Sequence, residues 1–245
     1  MKSITADKKA LRDEFLAPIS RVRPNHVVLT EDLDTPGDIY CIAVDEQQNS
    51  SLYARHRTKS INGFGEVGLK SCERLIKGLA FVKEDEIELT LEDRHVAYDG
   101  PTLKFQTPIL AEKYVERIKN GLTPSNYDDF KFDVSFDLPI SSIEQIIKGR
   151  QFAGEADRLV MFSDGAAIKG RLECSATPTS DNITFELAQS ATPLSREYNL
   201  SIDTFSLLSV FGEGVQVLLN EDKRGFLFIS QSETTMLKYG VRTLV

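Results

Sequence analysis

The sequence predicts an α+β protein, and two observations carry that expectation. A unit of one amphipathic helix followed by two or three short antiparallel strands recurs four times along the 245 residues, and a polar, turn-rich stretch divides the repeats into two equal pairs. A third observation bears on what such a scaffold holds. Lys and Arg gather on the outward faces of several helices, although the chain as a whole carries a formal charge of −8.

In the first repeat, Asp7–Ala17 reads as a helix with Leu11, Phe15 and Ile19 in step, and Pro18 marks where it should stop. Strands are expected at His26–Thr30 and Ile39–Asp45. The second repeat opens with a helix over 65–81 that buries Leu69, Cys72, Leu75, Ile76 and Leu79. Strands at Ile87–Leu91, His95–Tyr98 and Thr102–Ile109 follow, and then a short helix over Leu110–Ile118. The third repeat begins at Ser141-Ser142-Ile143-Glu144, a serine-capped start, and places Ile143, Ile146 and Ile147 on one stripe. Its strands are Arg158–Phe162, Ala167–Glu173 and Ile183–Gln189, separated by turns at Asp164-Gly165 and Pro178-Thr179-Ser180-Asp181. A strand at Glu197–Ile202 leads to the fourth helix from Asp203, where Phe205, Leu208 and Phe211 supply the buried stripe. Strands at Val215–Asn220, Phe226–Gln231 and Leu237–Leu244 close the chain.

A content of 41% hydrophobic residues suffices for real cores. Two domains, 1–119 and 132–245, joined by a linker over 120–131, are expected; the alternative is a surface loop inside one domain. No signal-peptide core and no membrane-length apolar run is present, so a cytoplasmic protein is expected, in the host cytoplasm if the source is viral. Cys41, Cys72 and Cys174 are scattered and odd in number, which reads as reduced core residues. The Asn182-Ile183-Thr184 sequon falls inside an expected strand and reads as chance.

The positive charge is local. Lys70, Arg74 and Lys77 are spaced i, i+4, i+7 on the second helix, which stacks them on one face opposite the apolar stripe. Lys148 points outward on the third helix. On the first, Lys9 points outward, Arg12 flanks the core and Lys8 lies near the start. The fourth helix presents only Ser206 and Ser209. Basic residues on one solvent face are ordinarily there for solubility. Here three helices share the pattern, while acids cluster at Glu31-Asp32, Glu84-Asp85-Glu86 and Asp128-Asp129. Helices gathered on one side would give a positive face that attracts phosphates. No aromatic residue interleaves with these bases, so the pattern suits duplex backbone rather than stacked single strands.

Other motifs fail on context. Gly63-Phe64-Gly65-Glu66-Val67-Gly68 fits a dinucleotide-binding pattern, but Arg55–Ser60 before it is no apolar strand and no βαβ alternation follows. His26, His56 and His95 have no metal-ligand spacing with cysteine, and no phosphate loop or nucleophile elbow is present. No enzyme activity, metal or cofactor is expected.

The order of elements resembles the two-domain sliding clamps of DNA replication, the group of eukaryotic, archaeal and large tailed-phage clamps. The ending Thr234-Thr235-Met236-Leu237-Lys238-Tyr239-Gly240-Val241 is similar to the strand that closes the second domain in that family, and Asn62-Gly63-Phe64 is similar to the phage branch. The resemblance covers nearly the whole chain as a pattern and only these patches as residue identity. It implies a homotrimeric ring of six domains with helices lining the hole and Lys8, Lys9, Arg12, Lys70, Arg74, Lys77 and Lys148 facing double-stranded DNA. It implies subunit pairing between edge strands near Thr102–Thr107 and Ile183–Gln189. It also implies a groove for the DNA polymerase and other partners floored by Tyr239, Val241 and Leu244, with a clamp loader and late-transcription factors as further partners. The uncharged fourth helix and the short tail depart from the family pattern. The alternative is a monomeric, non-specific duplex-binding processivity or late-transcription accessory protein.

Overall fold

The computed structural model describes residues 2–118, 121–154, 156–176, 183–190 and 192–244. The chain forms two compact units, Met1–Asp128 with Gln231–Leu237, and Asp129–Ser230 with Lys238–Val245.

In the first unit, β1 (Lys2–Asp7) runs into a helix made of a π-helical segment, Ala10–Leu16, followed by α1 (Ala17–Arg21). The carboxylate of Asp7 caps its start by accepting from the Ala10 amide at 2.8 Å. Contrary to expectation, this helix does not end at Pro18. The proline stands in the first turn of the α-helical segment, where its missing N–H costs nothing, because the hydrogen-bond pattern changes from π to α there. After it come β2 (Val27–Glu31), β3 (Asp38–Val44), β4 (Ser50–Arg57), β5 (Ser60–Asn62) and β6 (Glu66–Leu69). Next are α2 (Glu73–Phe81), β7 (Glu86–Leu91), β8 (His95–Asp99), β9 (Lys104–Pro108), α3 (Glu112–Ile118) and α4 (Ser125–Asp128).

The helix expected over 65–81 thus begins only at Glu73, and its first part is strand over Glu66–Leu69. Val67 and Leu69 are buried and residues 66–69 pair with β2, so tertiary pairing overrides a helical reading of Leu69, whereas Cys72 stands at the N-cap of α2. Gly63 and Gly65 adopt positive φ in the turn before β6. The dinucleotide pattern therefore leads into a strand. Its upstream stretch is also corrected, since Arg55, His56 and Arg57 lie in β4 with His56 fully buried.

One sheet of this unit has the order β5-β1-β7-β8-β9, and the other strands bond in the order β4-β3-β2-β6. Tyr127 of α4, inside the stretch expected to be linker, is buried and stacks on Tyr53 at 5.5 Å. Cys41 and Cys72 are buried thiols, and burial pushes Cys41 up to about 12, which leaves them protonated and inert.

His56 lies against the Phe15 ring at 5.5 Å, with Nδ1 3.0 Å from the Thr235 hydroxyl. Burial lowers its pKa to about 4. The neutral ring is the folded form, so this contribution to stability is complete above the unfolded pKa and is lost as pH falls toward 4. Unfolding free energy should drop by about 2 kcal/mol between pH 7 and pH 5 from this residue. In urea titrations at the two pH values, His56→Gln should remove that share of the difference.

The second unit comprises β10 (Val134–Leu138), α5 (Ile140–Phe152), β11 (Arg158–Asp164), β12 (Ala167–Glu173), β13 (Ile183–Gln189) and β14 (Tyr198–Ser201). Then come α6 (Ile202–Leu208) with a 3₁₀ turn at Ser209–Phe211, β15 (Val215–Asn220), β16 (Gly225–Gln231) and β17 (Thr235–Arg242), whose first residues belong to the first unit. One sheet has the order β13-β12-β11-β14, and β10-β15-β16-β17 bond in that order. The turn expected over 178–181 and residue 182 of the sequon lie outside the described residues.

The serine cap of the third helix is corrected. α5 starts one residue earlier, after Pro139, and the buried Ser142 hydroxyl donates to the Leu187 carbonyl at 3.0 Å. Ser201 does cap α6, accepting from the Asp203 amide. Phe205, Leu208 and Phe211 are buried as expected. An aromatic file runs through this core, with Tyr198–Phe226 at 5.7 Å, Phe226–Phe228 at 5.9 Å and Phe228–Tyr239 at 6.4 Å.

Candidate nucleic-acid interface

Each unit sets two helices side by side. In the first, the Ala10–Arg21 helix packs beside α2; in the second, α5 packs beside α6. Their solvent faces carry Lys9, Arg12, Arg21, Arg74, Lys77, Lys148 and Arg150 against Asp13, Glu14, Glu73, Glu144 and Asp203. Bases outnumber acids there, in a chain whose formal charge is −8. The remaining surface is therefore strongly acidic.

The expected contact residues divide by environment. Lys9 and Arg74 are exposed on their helices and make no ion pair among the described residues. Lys70 is equally exposed but stands in the bend between β6 and α2, so the i, i+4, i+7 stack shortens to Arg74 and Lys77. Lys77 and Lys148 each face a glutamate one turn earlier, Glu73 at 3.8 Å and Glu144 at 3.9 Å. Such long, exposed pairs contribute little and yield readily to phosphate. Arg12 is engaged more firmly. Its guanidinium donates to both oxygens of Asp13 at 2.7 and 2.8 Å, and that bond raises its pKa above the ordinary value. Lys8 turns away from the helix surface and donates to the Val82 carbonyl at 3.0 Å. Lys8 and Arg12 are thus committed to the protein itself, whereas Lys9, Lys70, Arg74, Lys77 and Lys148 present charge to solvent.

Sequence reasoning misses three bases. Arg21 and Arg23 are exposed at and just beyond the end of the first helix, past the proline expected to terminate it. Arg150 lies on α5 and pairs with Asp203 of α6 at 3.2 Å. With the proline assigned to a first helical turn, the run Arg21-Val22-Arg23 would signal the first two.

Of the expected groove residues, Tyr239 and Val241 direct their side chains into the core of the second unit, and Leu244 is 42% exposed. The Leu244 amide bonds to the Asn199 carbonyl at 2.9 Å, which holds the tail on the edge of β14.

Several strands stand at sheet ends among the described residues, β9 and β13 among them. β9 ends the five-stranded sheet of the first unit and β13 ends the four-stranded sheet of the second. Unpaired edges of this length invite pairing with another chain.

No family model matches the sequence, and no curated protein matches it. Solved structures do. PCNA of A. fulgidus, solved with the C-terminal region of FEN-1 bound, superposes with a TM-score of 0.74 at 12% identity, covering 100% of this chain and 99% of that one. A PCNA2–PCNA3 complex from Sulfolobus tokodaii gives 0.74 at 11% identity, covering 98% of both chains. The chain has the sliding-clamp fold. The beta subunit of DNA polymerase III from Thermotoga maritima gives 0.70 at 11% identity, and there the chain covers 64% of the longer protein. Two units, each with a helix pair on antiparallel sheets, are thus the arrangement expected from the repeats, and the phage resemblance of Asn62-Gly63-Phe64 stays a matter of sequence.

Among the described residues, no group of three or more His, Cys, Asp or Glu side chains could hold a metal ion. No helix of the described residues is long and apolar enough to cross a membrane.

Proposed function

We propose that this clamp-fold chain is a DNA sliding clamp, a ring that encircles duplex DNA without reading its sequence and tethers the replicative polymerase for processive synthesis. The two compact units act as its two domains, and three copies close the ring by pairing β9 of one with β13 of the next. Lys9, Lys70, Arg74, Lys77 and Lys148 face the phosphates, joined by Arg21, Arg23 and Arg150. The observation that carries the reading is the excess of bases over acids on the solvent faces of the paired helices, in a chain whose formal charge is −8. The rest of the chain carries the net negative charge and repels a duplex, so the helix faces are where net attraction is favoured.

The mechanism is topological. Exposed lysines at a few ångströms from local carboxylates exchange phosphate partners readily, so each contact is weak and screened by salt. Closure, rather than affinity, prevents escape. A partner polymerase held on such a ring stays at high effective concentration near its template. No bond is made or broken by the clamp. Retention of the protein on circular DNA, and its release when the circle is cut, is the experiment that tests this reading.

A further inference from the structure

We infer that Phe130, Lys131, Phe132, Lys223, Arg224 and Arg242 of the second unit form a site for single-stranded nucleic acid, separate from the duplex-facing helices. Hydrogen bonds tie three stretches of chain together there. Asn220, buried at the end of β15, donates from Nδ2 to the Lys131 carbonyl at 2.9 Å and accepts from the Lys223 amide at 2.7 Å. The Thr243 amide donates to the Arg224 carbonyl at 3.0 Å, which lays the end of β17 beside the turn between β15 and β16. Gly225 stands against the Phe130 ring, where an added Cβ would lie 3.8 Å away. Arg224 holds a left-handed backbone, with φ at 51°, a conformation that favours glycine. A basic side chain kept at such a position points to a use for that side chain.

Charge and shape select the ligand. Lys131, Lys223, Arg224 and Arg242 are exposed, and none is in an ion pair among the described residues. Two of the neighbouring acids are turned onto protein donors. Asp133 accepts from the Glu221 amide at 2.9 Å, and Glu221 accepts from the Ser195 amide and hydroxyl and from the Tyr198 hydroxyl. Asp129 and Asp222 stay exposed, so free bases outnumber free acids at this end of a chain whose formal charge is −8. The helix faces carry bases without interleaved aromatics, which suits duplex backbone. Here the run Phe130-Lys131-Phe132 alternates ring and cation, and Phe132 is 50% exposed. Each nucleotide of an unpaired strand brings one phosphate for a cation and one base whose flat face stacks on a ring. A duplex keeps its bases inside the stack and has none to offer Phe132. An acidic peptide matches the cations but leaves the ring in solvent.

Fluorescence anisotropy on the full chain tests this with labelled probes of equal length: an oligothymidine, the same strand with abasic positions, and a short linear duplex. Circular dichroism checks folding. Phe132→Ala should weaken oligothymidine binding by about 10-fold and abasic-strand binding little, as loss of one stacked base does. Lys131→Gln, Lys223→Gln and Arg242→Gln together should flatten the slope of log K against log salt on oligothymidine by about 0.7 per contact. Arg224→Gly relieves the left-handed backbone, so it should weaken strand binding while unfolding no more readily than the parent. Neutralising the helix bases Arg74, Lys77 and Lys148 should lower duplex affinity and leave oligothymidine affinity largely unchanged. Failure of the parent to bind oligothymidine, or unchanged affinity of Phe132→Ala for it, overturns the inference. So does a poly-glutamate peptide that binds at Phe132 and is not displaced by oligothymidine, which would assign the patch to an acidic protein segment. All probes are short and open-ended, so these outcomes do not depend on ring closure. A chain that binds oligothymidine here yet escapes from circular DNA loses only the ring reading.

Discussion

Replacing Gln106 by proline should convert the assembly to single chains while leaving the fold intact. The ladder between β8 and β9 explains why. Ile109 donates to the Arg94 carbonyl at 3.0 Å, and Gly100 donates to the Leu103 carbonyl at 3.0 Å, which fixes the alternation in between. Phe105 and Thr107 then bond inward to β8, and Lys104 and Gln106 present their N–H groups at the open edge. A proline at 106 removes an outward donor and no inward one. Native mass should fall to one chain, and thermal unfolding should shift little. Thr107→Pro is the contrasting variant. It breaks a bond to β8 at a buried position and should destabilise the fold by about 3 kcal/mol. A Gln106→Pro protein that keeps its assembled mass would remove β9 from the subunit contact.

Neutralising Arg74, Lys77 and Lys148 together with glutamine should weaken equilibrium binding to short linear duplex and flatten its dependence on salt. Removing one phosphate interaction reduces the steepness of log K against log salt concentration by about 0.9. The side chains are exposed and their local pairs are long, so stability and assembled mass should not change. Encirclement adds a sharper expectation. Retention on closed circular DNA should persist after this neutralisation, because closure does not depend on the strength of each contact. If Arg12→Gln and Lys8→Gln weaken binding more than the glutamine triple does, the assignment of exposed against committed bases is wrong.

Much of the fold is legible because its signals are local. In the second unit, Ala167–Glu173 and Ile183–Gln189 form as their alternation predicts, and Val215–Asn220 forms as a short apolar run buried along most of its length. β1 and β4 are not legible. Lys2–Asp7 alternates, but its short apolar residues Ile4 and Ala6 give a weak signal, and Ser50–Arg57 hides a buried histidine between two arginines. Only pairing partners distant in sequence make these segments strands. The site shows the same division. The outward direction of Lys9, Arg74, Lys77 and Lys148 follows from helical spacing alone. That Lys8 reaches the Val82 carbonyl, and that Arg12 closes on Asp13, depends on where other elements lie or on a rotamer that spacing does not fix.

On the ring reading we claim that enclosure, rather than affinity, holds this protein on DNA. Subunits separated by dilution, then concentrated with nicked circular plasmid so that rings close around it, should co-elute with the plasmid in high salt on gel filtration. Cutting the plasmid once with a restriction enzyme should release the protein by sliding off the ends, and blocking both ends with bound protein should restore retention. Equal retention on the circle and on the open linear form would contradict the claim.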